Sequence, residues 1–197
     1  IANCLVGSEM CIRDRNNVIN ENKNIANDMQ KFYDDWWEDA SKEFRYSYID
    51  IFPNISNTIT AHDVQVNSIT AWDQSVVRRG VPYELGKFNV DFKKSGEYKI
   101  TLRRWPKESK LNLRDSINDY IPARKYWDQQ ASGKSMNIAS AFIKIGDKQY
   151  NIDLSNNLKS ATININIDSG KTSLEPAFIL DNGQTSVVFY TDIDFLF

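Results

Sequence analysis

A chain of 197 residues has room for one domain of ordinary size, or for one domain and part of a second. Its 41% hydrophobic and 12% aromatic residues are enough for a packed core, which argues against a disordered chain. The net charge of -2 gives no basic surface for nucleic acid, and no apolar run reaches the about 20 residues of a membrane span. We therefore expect neither nucleic acid nor a membrane as a partner.

Residues 1–15 differ in composition from the rest of the chain. They hold both cysteines, Cys4 and Cys11, whose spacing matches no metal-binding or redox motif. The letters CLVGSEMCIRDR resemble a translated sequencing-adaptor peptide, so we predict that this segment is a non-native artefact. A genuine N-terminal strand with a redox pair is the alternative. The chain also begins at Ile1 instead of methionine, which we interpret as a truncated start.

Residues 25–40 follow the period of an amphipathic helix, because apolar residues recur at steps of three and four. We expect so wide an aromatic stripe to pack against a larger body. A strand is predicted between Glu43 and Ile51, and Pro53 with its neighbouring asparagine then breaks the chain. This break is the candidate boundary between a helical part, residues 16–55, and a β domain, residues 56–197. The stripe consists of Ile25, Met29, Phe32, Tyr33, Trp36, Trp37 and Ala40.

The β domain is predicted from apolar residues that alternate with polar ones, which is the period of a half-buried strand. The first two alternating runs flank turn-forming residues 94–97 and predict a hairpin. Pro176 indicates an edge strand or a bulge, and residues 187–197 indicate a central strand. The alternating runs are 88–92, 98–102, 141–145, 150–154 and 163–167. We therefore predict a mainly β (α+β) fold, an antiparallel jelly-roll-like β-sandwich preceded by one amphipathic helix and a strand.

The segment between Lys107 and Ser140 has no clear period, and a loop of this length is usually functional or disordered. It contains the aromatic residues Tyr120, Tyr126 and Trp127. No nucleophile motif, metal-binding cluster or phosphate-binding loop occurs in the sequence, so we predict no catalytic and no metal-binding residue.

Two clusters of arginine and tryptophan are the candidate binding residues. Guanidinium groups suit sulfate and carboxylate, and indole rings can stack on sugars. In the alternative interpretation, one arginine pairs with Asp73 or Glu108 and the tryptophans pack in a core or an interface. Strand alternation also predicts that Arg103 and Arg104 point to opposite faces. The candidate substrate-binding residues are Trp72, Asp73, Gln74, Arg78, Arg104 and Trp105.

The runs AWDQSVVRRG and GEYKITLRRWPKES resemble the C-terminal region of bacterial formylglycine-dependent arylsulfatases. The helix segment FYDDWWEDASKEF, the turn FPNISNTITAHD and the strand IKIGDKQYNI are similar to that family in the same order, so the resemblance covers residues 25–197. One departure is Phe88, which stands where family members carry a tryptophan.

The resemblance implies that residues 16–55 end a sulfatase catalytic domain and that residues 56–197 form an accessory domain shaping its substrate cleft. It implies a catalytic domain in cis as partner, a sulfated glycan as substrate, and a periplasmic or extracellular location. The parent enzyme is expected to need calcium and formylglycine. This chain lacks the C/S-x-P-x-R motif, so we expect no catalytic nucleophile and no cofactor here.

Two alternatives stand beside this interpretation, a carbohydrate-binding β-sandwich module and a purely structural sandwich at a domain interface. Exposed aromatic residues in 107–140 would favour the binding module, whereas burial of Trp72 and Trp105 would count against it. An apolar patch on the helix bearing Trp36 and Trp37 would indicate a missing partner domain.

Overall fold

The structure is a computed structural model that describes residues 17–42, 47–64, 74–80, 82–119, 122, 132–154 and 159–197. The predicted artefact at 1–15 lies outside these residues, as do Trp72, Asp73 and the three aromatic residues of the long loop. The chain divides into two compact units, Ile1–Ser47 and Tyr48–Phe197.

The first unit holds helix α1 (Lys23–Ala40), which confirms the predicted amphipathic helix. None of its 18 residues is buried, and Phe32 is 75% exposed. Tyr33, Trp36 and Trp37 contact one another with ring centroids 5.8 to 6.4 Å apart. Among the described residues of this unit, none covers the apolar stripe of the helix.

In the second unit, the described residues form ten strands and three short helices. In chain order they are β1 (Ile49–Ile51), β2 (Asn57–Thr60), the 3-10 helix η1 (Ala61–Asp63), α2 (Gln74–Arg78), β3 (Phe88–Phe92), β4 (Gly96–Arg103), the 3-10 helix η2 (Lys107–Ser109), β5 (Ile138–Ile145), β6 (Lys148–Asp153), β7 (Ala161–Ile167), β8 (Gly170–Leu180), β9 (Thr185–Val187) and β10 (Tyr190–Phe195).

The strands form two sheets whose order is that of a jelly roll. The first sheet runs β1-β3-β8-β5-β6, with β9 paired to β8, and the second runs β2-β10-β4-β7. Without β1 and β9, the eight remaining strands follow the jelly-roll order. All the strand pairings are antiparallel except β1 with β3, which is parallel. The predicted β-sandwich is confirmed.

The core lies between the sheets and is built from the alternating residues. Tyr98 packs edge-on against Phe92 at 5.0 Å and Phe195 at 5.2 Å, and its hydroxyl donates to the Lys94 main-chain oxygen at 2.6 Å. Burial raises the pKa of Tyr98 above its ordinary value. The predicted hairpin of residues 88–102 is wrong, because β3 and β4 belong to opposite sheets. Both strands turn their apolar faces to one core from opposite sides.

Pro176 lies in β8, which is a central strand and not the predicted edge. On one side of β8, β3 pairs with Gly170–Leu174 and β9 pairs with Ala177–Ile179. Pro176 falls in the gap between these partners, so its missing N–H costs no ladder hydrogen bond on that side.

The predicted strand before residue 55 belongs to the sandwich. Ile49–Ile51 pairs with Val90–Phe92 at the edge of the first sheet, and Ile51 is fully buried. The boundary between the units therefore follows Ser47, earlier than the predicted boundary.

Candidate functional site

The buried guanidinium of Arg104 joins three segments that are far apart in the sequence. The residue is 0% exposed. Its Nη2 donates to the main-chain oxygens of Val77 at 2.9 Å and Lys134 at 2.7 Å, and its Nη1 donates to that of Asp115 at 3.1 Å. Burial lowers the pKa of Arg104 to about 10, against the effect of the Asp115 charge, so the group stays protonated at neutral pH.

Trp105 is also buried, with 4% of its surface exposed. The Arg104 guanidinium lies 4.4 Å from the centroid of its ring. Its indole Nε1 is buried and has no hydrogen-bond partner among the described residues. A ring with so little exposed surface has no face on which a sugar could stack.

Arg78, at the end of α2, is 6% exposed and faces the loop that follows β4. Its Nη1 and Nη2 donate to the two carboxylate oxygens of Asp119, at 3.2 and 3.3 Å. Nη1 also donates to the main-chain oxygen of Asp119 at 3.1 Å. These contacts hold the loop against α2.

The side chains of Arg103 and Arg104 point to opposite faces, as strand alternation predicts. The Nε and Nη2 of Arg103 donate to the carboxylate of Asp192 at 2.9 and 2.8 Å, on the outer side of the second sheet. Thr58 Oγ1 donates to the same carboxylate at 2.8 Å. This network joins the three neighbouring strands β2, β10 and β4.

The structure therefore separates three of the predicted binding residues from solvent. Arg78, Arg104 and Trp105 are buried and tie loops to the sandwich, which favours the structural interpretation over sugar contact. Gln74 opens α2, and Trp72 and Asp73 lie outside the described residues.

An open cleft of about 340 Å³ lies elsewhere, between the β5–β6 turn and the β7–β8 turn. Ile145, Ile165 and Ile167 contribute its apolar lining. Tyr150, which points inward from β6 and is half-buried, contributes an aromatic ring. The cleft has the volume of a small-ligand site.

Polar side chains line the same cleft as the Tyr150 ring. The described residues form no side-chain hydrogen bond or ion pair with Tyr150, Lys148 or Asn166, so these groups are available to a ligand. Lys171 places its Nζ 4.7 Å from the ring centroid of Tyr48. The polar lining residues on the two turns and their flanking strands are Asp147, Lys148, Asn166, Asp168, Ser169, Lys171 and Thr172. The lining therefore offers both donors and acceptors.

Both rims of the cleft are anchored to the sandwich. On one side, the Gly146 main-chain N–H donates to the Ser173 oxygen at 2.9 Å. On the other, the Ser169 main-chain N–H donates to Ser95 Oγ at 2.8 Å. The cleft is thus largely preformed, which limits the ordering cost of binding.

Sequence reasoning did not identify this cleft. Tyr150 lies in one of the alternating runs, which predicts only a strand position for it. One feature of the sequence does point to the cleft: Tyr150 begins its run, closely follows a Gly-Asp turn and lies two residues after Lys148.

No family model matches the chain, and no curated protein sequence matches it. Among solved structures, the chain is similar to a CBM35 from Cellvibrio japonicus Abf62, at 10% identity and a TM-score of 0.32, over 58% of this chain and 68% of that chain. It is also similar to a ruminal GH26 endo-beta-1,4-mannanase, at 12% identity and a TM-score of 0.39, over 77% of this chain and 27% of that chain. At these scores the fold assignment rests on the strand order and not on the similarities.

Within the described ranges, none of the helices combines the length and apolarity that a membrane crossing requires. The same residues place no three His, Cys, Asp or Glu side chains together as metal ligands.

Proposed function

We propose that this chain is a carbohydrate-binding β-sandwich module and that it binds a glycan in the cleft around Tyr150. The observation that carries the proposal is the combination of a half-buried aromatic ring with unpaired hydrogen-bonding side chains in one preformed cleft. Jelly-roll sandwiches include lectin domains, which supports the proposal by analogy of fold.

The residues of the cleft match the two chemical surfaces of a sugar. The Tyr150 ring can pack against the apolar C–H face of a pyranose, over the isoleucine lining. Asn166 and Lys148 can donate hydrogen bonds to hydroxyl groups, and the carboxylates of Asp147 and Asp168 can accept them. The proposed role is binding, in a periplasmic or extracellular location, with catalysis left to another domain.

Replacing Tyr150 with alanine is expected to weaken glycan binding by about tenfold or more, because the stacking surface is lost. Tyr150→Phe is expected to bind nearly as well as the unaltered chain, since it keeps the ring and loses only the hydroxyl. Affinity electrophoresis against neutral, uronate-containing and sulfated glycans, followed by calorimetry on any binder, measures both effects.

Tyr33→Ala is the matched control, because it removes a tyrosine ring from α1 and leaves the cleft intact. Failure of every glycan class to bind the unaltered chain would contradict the proposal. Equal binding by Tyr150→Ala and by the unaltered chain would place any glycan site elsewhere.

The second candidate function is an accessory domain of an arylsulfatase, and the uncovered stripe of α1 favours it. A stripe with Phe32 at 75%, Ile25 at 57% and Trp36 at 53% exposure is typical of an interface with another domain. In this proposal α1 is the last helix of a catalytic domain in cis, its apolar stripe packs against the rest of that domain, and a sulfated glycan is the substrate.

Amplification of the source nucleic acid across the junction near Arg15 tests this candidate. A continuous reading frame that carries C/S-x-P-x-R upstream of Asn16 is the expected result. An unrelated domain or a start codon directly before Asn16 would contradict it.

A further inference from the structure

The four outer edges of the two sheets are protected very unequally. An exposed strand edge presents unpaired N–H and C=O groups, and natural proteins protect such edges with short strands, charges, prolines or bulges. Apart from β9, a strand of 3 residues that pairs only with β8, the outer strands among the described residues are β1 and β6 in the first sheet, and β2 and β7 in the second.

Three of these edges carry such protection. Strand β1 has 3 residues, with Asp50 paired to Lys93 at 2.7 Å, and β2 has 4 residues. Strand β6 has a lysine at its first position and an aspartate at its last.

Strand β7 has none of these devices. Its sequence, ATININI, contains 7 residues without a charge or a proline. Its pairing with β4 runs without a register shift from Gly96↔Ile167 to Leu102↔Ala161. Within the described residues β4 is its only strand partner, so no described strand pairs with the other edge of β7.

We propose that β7 pairs with β7 of a second copy of this chain, so that the second sheets of the two copies join into one continuous sheet. The sequence is complementary to itself in an antiparallel register centred on Asn164. That register puts Ile163 opposite the partner's Ile165 on the core side. Asn164 meets the partner's Asn164 on the outer side, where this side chain is exposed.

A second copy fits this edge better than an unrelated strand because a two-fold axis through Asn164 keeps apolar residues opposite apolar residues along the whole strand. The contact uses the same surface on both copies and therefore closes as a dimer. Ile165, Asn166 and Ile167 of β7 also line the cleft around Tyr150, but the inference stands on the edge and the sequence of β7 and not on the proposed function.

Sedimentation equilibrium of the full chain under reducing conditions tests the inference. The reductant prevents cross-linking through Cys4 and Cys11. The mass is expected to rise from 22.8 kDa toward twice that value as concentration increases. Asn164→Lys is expected to weaken association by about tenfold or more, because the register sets two like charges opposite each other.

Asn151→Lys is the matched control, since it adds the same charge to an exposed asparagine on β6, the edge strand of the other sheet. It is expected to associate as the unaltered chain does. A chain that stays monomeric throughout would overturn the inference, and so would a dimer that survives Asn164→Lys. Circular dichroism of both variants verifies that each one folds.

Discussion

Replacing Arg104 with methionine is expected to lower the free energy of unfolding by about 3 kcal/mol, because three partly buried main-chain oxygens lose the buried guanidinium that donates to them. Methionine retains much of the volume, so the loss comes from the missing hydrogen bonds more than from a cavity. The end of α2 and the segments at Asp115 and Lys134 lose their common attachment. Urea unfolding followed by tryptophan fluorescence measures the change.

Arg79→Met is the control for this prediction. Arg79 is the next residue after the buried Arg78, is exposed, and makes a 3.3 Å hydrogen bond to Ser75. Its replacement is expected to change the free energy of unfolding by less than about 0.5 kcal/mol. Equal stability of the two variants would show that Arg104 does not hold these segments together.

Gly80→Ala is expected to destabilise the chain by about 3 kcal/mol, through a steric and a conformational effect. A Cβ at Gly80 would lie 2.3 Å from the Ser135 main-chain oxygen and 2.8 Å from that of Lys134. The backbone of Gly80 also has a φ of 64°, which favours glycine. The clash would displace the Lys134 oxygen that accepts from Arg104.

Gly183→Ala separates the two effects. Gly183 has a φ of 81°, but no atom lies within 4 Å of the position of its Cβ. The Gly183→Ala variant is expected to lose only about 1 kcal/mol of its free energy of unfolding, which is the cost of the left-handed backbone alone. Thermal or urea unfolding of both variants compares them. Equal losses would contradict the close backbone approach at Gly80.

The sandwich could be predicted because apolar and polar residues alternate clearly along its strands. Residues 88–92 and 163–167 alternate without interruption, and the structure buries the apolar member of each pair or packs it on the core. The asparagine-glycine pair at residues 182–183 lies in the turn between β8 and β9, which pair as a hairpin.

Strand partners could not be predicted in the same way. Alternation shows which face of a strand is buried but not which strand lies beside it, so β3 and β4 were predicted as a hairpin. The connection at residues 93–95 crosses instead from one sheet to the other. The parallel pairing of β1 with β3 has no local sequence signal at all.

The candidate site was harder to predict, since arginine and tryptophan serve buried networks as well as ligands. Arg104 and Trp105 are candidate binding residues in the sequence, but the structure buries both side chains. The cleft residues Tyr150 and Asn166 look like ordinary strand positions. They come together only because β6 and β7, from different sheets, approach each other at one side of the sandwich.

The measurement that tests the central claim most directly is an amide NMR titration of the isotopically labelled full chain with whichever glycan class is retained in electrophoresis. Glycan binding in the cleft predicts shifts concentrated at residues 145–150 and 165–172. Tyr150→Ala should abolish these shifts at the same glycan concentration. Shifts confined to the segment around Arg104 and Trp105, or none with any glycan, would contradict the assignment of the cleft as the binding site.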